Sequence, residues 1–203
     1  MNSRYKGLIS IAGVIGVGKT TLADNLAASL GGSVVYEQYK ENPFLARQFS
    51  GCCESALPSE LFFLLSRAQQ LAVENYHHDS LYITDYIFQK NRFFAGMSLD
   101  SRQLDIYDEV EKAVSLVINK PEIVIYLYDS IENCHERILR RGRAFEKSIS
   151  LDFLTKLHDK YENLFDSWSS CPVIKVDCGE IDLRENDALE QLSVDIRTSL
   201  QLS

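Results

Sequence analysis

Gly13-Val14-Ile15-Gly16-Val17-Gly18-Lys19-Thr20 follows the apolar run Leu8-Ile9-Ser10-Ile11-Ala12. It precedes a segment that carries Leu22, Leu26 and Leu30 at helical spacing until Gly31-Gly32 stops it. A buried strand, a glycine-bearing loop and a helix, in that order, make a cradle for phosphate. Gly13 and Gly18 let the loop curl until consecutive N–H groups point inward, and the helix adds its positive N-terminal end. The backbone of Gly13, Gly16, Val17, Gly18, Lys19, Thr20 and Thr21 is therefore the candidate phosphate-binding surface. Lys19 is placed to reach the outer phosphates, and Thr20 offers a hydroxyl to Mg²⁺. A glycine loop that merely turned the chain would need no lysine there.

The remaining composition narrows the partners. A chain of 203 residues, 45% hydrophobic, is expected to form a single domain over its whole length, with ample material for a core. Twenty-nine acidic against 21 basic residues give a net charge of -8, which argues against a nucleic-acid polymer or an anionic membrane as partner, since both demand a basic face. A small anionic ligand stays compatible, because a few local cations suffice for it. Five cysteines without CxxC spacing read as reduced thiols of a soluble, cytoplasmic protein, and four scattered histidines offer no metal-ligand spacing. No apolar run approaches the length of a membrane span.

Along the chain, strands and helices alternate. Ser33 to Glu37 reads as a second strand and Ser80 to Asp85 as a third, each ending on an acid. In an open parallel sheet the ligand crevice lies beyond the carboxyl ends of the strands, on the side of the phosphate loop. A carboxylate there either accepts the proton of an attacking hydroxyl or is only a solvated strand end; position alone does not decide between them. Asn42-Pro43 is expected to cap a short helix. The longest helical pattern runs from Leu57 to about Tyr76, with Leu61, Leu64, Leu65, Ala68, Leu71 and Ala72 as its apolar stripe. Glu60, Phe63 and Arg67 share a neighbouring face, Glu60 and Arg67 being about 10 Å apart, close enough to flank one ligand. An exposed helix arginine is the plainer reading of Arg67.

Helices are expected from Tyr86 to Phe94 and from Ser101 to about Asn119. A fourth strand follows at Glu122 to Tyr128, and then a helix capped by the box Asp129 and Glu132 and ending at Gly142. Arg137, Arg140, Arg141 and Arg143 crowd its end beyond what the helix dipole favours, which points to a mobile arginine lid for phosphate. Ser150 to about Phe165 reads as a helix, Pro172 to Val176 as a fifth strand and Leu183 to Leu200 as a weaker final helix. The alternation implies a three-layer α/β fold with a parallel sheet.

Taken together, the ordered motifs resemble the deoxyribonucleoside kinase family, in its bacterial deoxyadenosine and deoxyguanosine kinase-like branch. They are Gly13 to Thr20; Glu37-Gln38 with Glu41-Asn42-Pro43-Phe44-Leu45; Phe62-Phe63-Leu64-Leu65-Ser66-Arg67; Asn91-Arg92-Phe93-Phe94-Ala95; and Arg137-x-x-x-Arg141-Gly142-Arg143-x-x-Glu146. The resemblance implies a P-loop NTPase fold with five parallel strands, a helix-mediated homodimer, and transfer of the γ-phosphate of ATP to the 5′-hydroxyl of a deoxynucleoside with Mg²⁺. It makes Glu37 similar to the base at the 5′-hydroxyl, with Lys19 and Arg143 acting on the phosphates, and Asp85 similar to the acid near the metal. Arg67 looks like the arginine that orients the nucleobase. Arg137, Arg141 and Arg143 look like arginines of a lid at about 141–148, Glu146 like the lid acid that meets the 3′-hydroxyl, and Asp182 falls in the stretch that brackets the adenine of ATP.

Four positions depart from that family's pattern. Tyr86 stands where an arginine is usual, Glu60 where a base-binding glutamine is usual, Asn91 in place of a supporting aspartate, and Phe49 in place of a tyrosine that bonds the sugar. An ionised Glu60 can only accept hydrogen bonds, which favours bases with exocyclic amino groups, a purine or cytosine over thymine. Loss of the arginine at 86 removes a cation that would balance Glu37 and Asp85. A catalytically weak regulatory paralogue and a nucleoside monophosphate kinase are the competing readings; the retained Lys19, Glu37 and Arg143 weigh against the first, and the scarcity of cations for an acceptor phosphate against the second.

Overall fold

The computed structural model describes residues 6–77 and 79–201. Five strands, β1 (Gly7–Ala12), β2 (Ser33–Val35), β3 (Leu81–Thr84), β4 (Ile123–Tyr128) and β5 (Val173–Asp177), form one parallel sheet in the order β2-β3-β1-β4-β5. The helices are α1 (Lys19–Leu30), α2 (Leu45–Phe49), α3 (Ala56–Gln70), α4 (Lys90–Ser98), α5 (Ser101–Val114), α6 (Ile131–Arg141), α7 (Leu151–Asp166) and α8 (Asn186–Gln201). This is the expected α/β P-loop fold. The three inner strands are almost wholly buried and read as apolar runs, as a sheet covered on both faces requires. Strands are added to one side of β1 as far as β3 and to the other side from β4, so a crevice opens beyond the carboxyl end of β1.

The core gathers Leu22, Leu26 and Leu30 of α1 against the sheet, and Tyr126 of β4 packs its ring 4.6 Å from Phe165 and 5.9 Å from Tyr161 of α7. Two loop glycines are obligatory for steric reasons. Gly13 has φ +140° and a Cβ there would lie 2.4 Å from the Leu127 carbonyl oxygen; Gly16 has φ +88° and a Cβ would lie 2.3 Å from that of Cys134. The phosphate loop is thus clamped between β4 and α6. All five cysteines are free thiols, and among the described residues no helix is long and apolar enough to cross a membrane.

Several element boundaries differ from the sequence reading, for identifiable reasons. β2 stops at Val35 and β3 at Thr84, so Glu37 and Asp85 sit in the turns just past the strands rather than on them. α3 ends at Gln70 and α5 at Val114, because the backbone beyond them is taken up elsewhere: Ala72 bridges Ile118, and the Asn119 N–H donates to the Leu71 carbonyl at 2.7 Å. Tyr86, Ile87 and Phe88 are buried but not helical, and α4 begins only at Lys90. Asn42 does not cap α2. Its side chain accepts the Phe44 N–H at 3.0 Å and donates to the Ser59 hydroxyl at 2.9 Å, pinning the turn to α3. The cap of α6 is Ser130, whose hydroxyl accepts the Asn133 N–H, and no capping box forms with Asp129. α8 starts at Asn186, after a turn that covers Leu183.

The stripe expected on α3 is also displaced. Leu65 is 50% exposed, while Ser59, Glu60 and Arg67 are buried beside Leu64 and Ala68. A fully buried leucine on α1 and an exposed one on α6 provide a stability contrast. Leu26→Ala is expected to cost about 3 kcal/mol and Leu139→Ala less than about 0.5 kcal/mol, read from urea denaturation midpoints.

Candidate active site

The phosphate loop delivers Lys19 and Thr20 as the first two residues of α1. The Lys19 ammonium donates to the carbonyls of Gly13 (2.9 Å) and Val14 (2.7 Å), which holds it over its own loop. Burial and the neighbouring Lys90 ammonium, with Arg141 adding to them, outweigh Glu37 and Asp85 and bring its pKa down to about 7. The Thr20 hydroxyl donates to one oxygen of Asp85 at 2.7 Å, and the other oxygen accepts the backbone N–H of Glu37 at 2.9 Å. One buried carboxylate therefore joins the phosphate helix, the exit of β3 and the exit of β2.

Glu37, with its side chain 19% exposed, faces two buried cations. Arg67 donates from Nε at 3.0 Å and from Nη2 to Oε1, and the Lys90 ammonium reaches Oε1 at 2.8 Å and Oε2 at 3.0 Å. Burial pushes this carboxyl up, but Arg67 and Lys90 overcome it and hold the group well below the usual carboxylate range. Arg67 is itself fixed between two rings, 4.7 Å from the centre of Phe63 and 5.7 Å from that of Tyr86, and it donates to the Asn91 side-chain oxygen. Glu60 lies farther along the cleft. Gln48 (2.5 Å) and Ser98 (2.9 Å) both donate to its Oε1, yet burial dominates and raises its pKa.

The segment after α6 folds over this cleft. Glu146, buried, takes Arg141 in a two-point ion pair at 2.6 Å each and Arg143 at 3.3 Å. Phe145 lies between Tyr39 (5.7 Å) and Phe49 (6.0 Å), and the Arg143 guanidinium sits 4.2 Å over the Tyr39 ring. Arg137 turns away and pairs with Asp129 at 2.6 Å. The crowding of arginines is thus relieved by acids that sequence spacing alone did not pair with them.

These groups line one cavity of about 950 Å³. Of the candidate residues, Gly16, Lys19, Thr20, Glu37, Phe49, Glu60, Phe63, Arg67, Asp85, Arg141, Arg143 and Glu146 reach its wall. Others lie behind or beyond it. Gly13 and Val17 are buried under the loop, and Gly18 and Thr21 lie at the exposed start of α1. Tyr86 is turned into the core with its hydroxyl donating to Gln70, and Asn91 backs Arg67. Arg137 is held by Asp129, and Asp182 is occupied by Arg184 at 2.6 Å. Lys90, Gln48, Ser98, Tyr39 and Phe145 line the cavity without having been expected. Lys90 carried no signal, since a lysine within the helix expected from Tyr86 to Phe94 ordinarily reads as solvated.

The family described as deoxynucleoside kinase matches residues 9–199. The chain belongs to the deoxynucleoside kinase family. Among curated relatives of this kinase, the deoxyguanosine kinase of Bacillus subtilis (strain 168) is 35% identical over 157 residues, 76% of either chain. The deoxyadenosine kinase of Dictyostelium discoideum is 31% identical over 178 residues, 85% of this chain and 72% of the relative. The solved structure of deoxyadenosine kinase from M. mycoides superposes with a TM-score of 0.81 at 23% identity, covering 94% of this chain and 98% of that one, which establishes a common fold. The kinase is accordingly a phosphotransferase of nucleoside salvage that phosphorylates nucleosides.

The environment of Glu60 fixes the sign of a pH effect in this kinase. A carboxyl whose pKa is raised by folding adds stability below its ordinary value of 4.5 and loses it as pH rises through the folded pKa. Glu60→Gln is therefore expected to stabilise the fold at pH 7 to 8 and to gain little at pH 4, as measured by urea denaturation at both pH values.

Proposed function

We propose that this kinase transfers the γ-phosphate of ATP to the 5′-hydroxyl of a deoxyribonucleoside, acting as a single domain with residues 141–148 as its lid. The observation that carries this reading is the convergence of Lys19, Thr20, Asp85 and Glu37 on one cavity beyond the carboxyl ends of β1, β2 and β3. In-line phosphoryl transfer depends on positioning and charge neutralisation more than on covalent help from the protein. Glu37 orients the acceptor hydroxyl and receives its proton late, a role that suits a carboxylate held ionised at neutral pH. Lys19 and the loop N–H groups hold the donor phosphates, and Arg141 and Arg143 approach them from the lid.

The oxygen donors beside the phosphate loop suit Mg²⁺. The Thr20 hydroxyl and the Asp85 carboxylate lie 2.7 Å apart at the mouth of the phosphate loop, and both are hard oxygen donors of the kind that ion takes, with phosphate and water completing its shell. When bound there, Mg²⁺ would neutralise charge on the phosphates. Glu60 and Phe63 support recognition of the base. The ionised carboxylate, an acceptor only, favours exocyclic amino groups and serves thymine, with two carbonyls and no amino group, least; burial raises the Glu60 pKa, and the donor of a protonated carboxyl would lessen that bias. A purine or cytosine deoxynucleoside is thus the proposed acceptor. Half-exposed Leu65 on α3 and Ile106 on α5 support a homodimer formed through helices, and five free thiols support a cytoplasmic location.

Glu37→Gln is expected to lower turnover by roughly 10²-fold or more while ATP still binds within about threefold of the parent affinity. Steady-state assays over the four deoxynucleosides, with calorimetry for ATP, check this; unchanged turnover would remove Glu37 from the reaction.

A further inference from the structure

Glu37 is held asymmetrically. Both Arg67 contacts fall on Oε1, so Arg67 alone leaves the carboxylate free to swing about that oxygen. Among the described residues the partner of Oε2 is Lys90, whose ammonium bridges both oxygens at 2.8 and 3.0 Å and fixes the plane of the group.

The placement of Lys90 makes little sense as a stabilising choice. It is the first residue of α4, where a cation opposes the helix dipole, and it is buried to 5% exposure among other cations, with Arg67 and Lys19 nearby. A buried ammonium is tolerated only when paired, and its pairing here is spent on a single carboxylate at the cavity wall. Position 86, immediately after Asp85, supplies no charge: Tyr86 is 1% exposed, its hydroxyl donates to Gln70 and its ring lies against Arg67. Beside Arg67 of α3, the second cation that balances Glu37 and Asp85 thus comes from the next element, α4.

We propose that Lys90 is a positioning residue for the acceptor hydroxyl: by locking Oε2 of Glu37 toward the cavity, it supplies from α4 the orienting charge that residue 86 does not. This rests on the reading of Glu37 as the group that meets the acceptor hydroxyl. Free rotation of Glu37 would misplace its proton-accepting oxygen and leave in place the loop and α1 that build the donor-phosphate pocket; removing the Lys90 charge also lifts one of the causes that lower the Lys19 pKa, which favours the ammonium form that meets phosphate. The consequence falls on kcat and spares the nucleotide KM.

Three substitutions measured together test the inference. Lys90→Met and Lys90→Gln remove the charge while keeping most of the side chain's length, and both are expected to lower kcat by roughly 10- to 100-fold with the ATP KM within about threefold of the parent. Lys90→Arg restores the charge and is expected to recover most of the lost turnover. Parental kcat in the uncharged variants, a loss confined to the ATP KM, or a Lys90→Arg enzyme as slow as Lys90→Gln would overturn the inference. Should the methionine variant fail to fold, the Gln and Arg pair decides alone. Glu37→Gln, run alongside, separates the two claims: if it retains turnover the reading of Glu37 falls, whereas if it is inactive while Lys90→Gln is fully active only the role of Lys90 falls.

Discussion

The site is organised by one carboxylate that is shared between two elements. Asp85 accepts the Thr20 hydroxyl with one oxygen and the Glu37 N–H with the other, and it is buried in doing so. The start of the phosphate helix, the exit of β3 and the turn carrying Glu37 are therefore spaced by hydrogen bonds of fixed length. Without that bridge each would be free to adjust separately. The sheet order makes the bridge possible, because β3 lies between β2 and β1 and so sets Asp85 midway between Glu37 and the phosphate loop.

Around that bridge the charges are dense and buried. Glu37, Arg67 and Lys90 form a triad in which each member would be costly alone. Arg67 is further confined by two aromatic faces and by Asn91, so its position is set by packing as much as by charge. Two cations against Glu37 and the nearby Asp85 keep the floor of the cleft from adding to the overall charge of -8, which would otherwise repel phosphate.

How much of this could be read beforehand depended on whether the signal was local. The strand, loop and helix around Gly13 to Thr20, the parallel α/β plan and the acids that close β2 and β3 are written in contiguous residues, and they were legible. The end of α3 was not, because the Ala72 bridge to Ile118 joins residues 46 positions apart in the chain. The inward turn of Tyr86 and the placement of Lys90 were hidden for the same reason: each is decided by partners distant in the chain, Gln70 and Arg67 of α3 for the first and Glu37 in the turn after β2 for the second. The face of α3 that carries Glu60, Phe63 and Arg67 was legible, but its burial was not, because apolar periodicity identifies the side facing the core, and a cleft is a second interior that periodicity does not record. For the arginines of α6, spacing revealed the crowding but not the acids that relieve it.

The seat of Phe145 between Tyr39 and Phe49 gives the proposed lid, residues 141–148, a latch of aromatic rings, while Arg141 and Arg143 are tied to Glu146 of the same short segment. The latch and the charged grip therefore answer to different solvents. Raising ionic strength would loosen the hold of the guanidinium groups on an incoming anion yet leave the ring contacts in place, so a lid built this way would stay shut in salt while losing its purchase on phosphate. Closure and charge delivery are separable properties of the same eight residues.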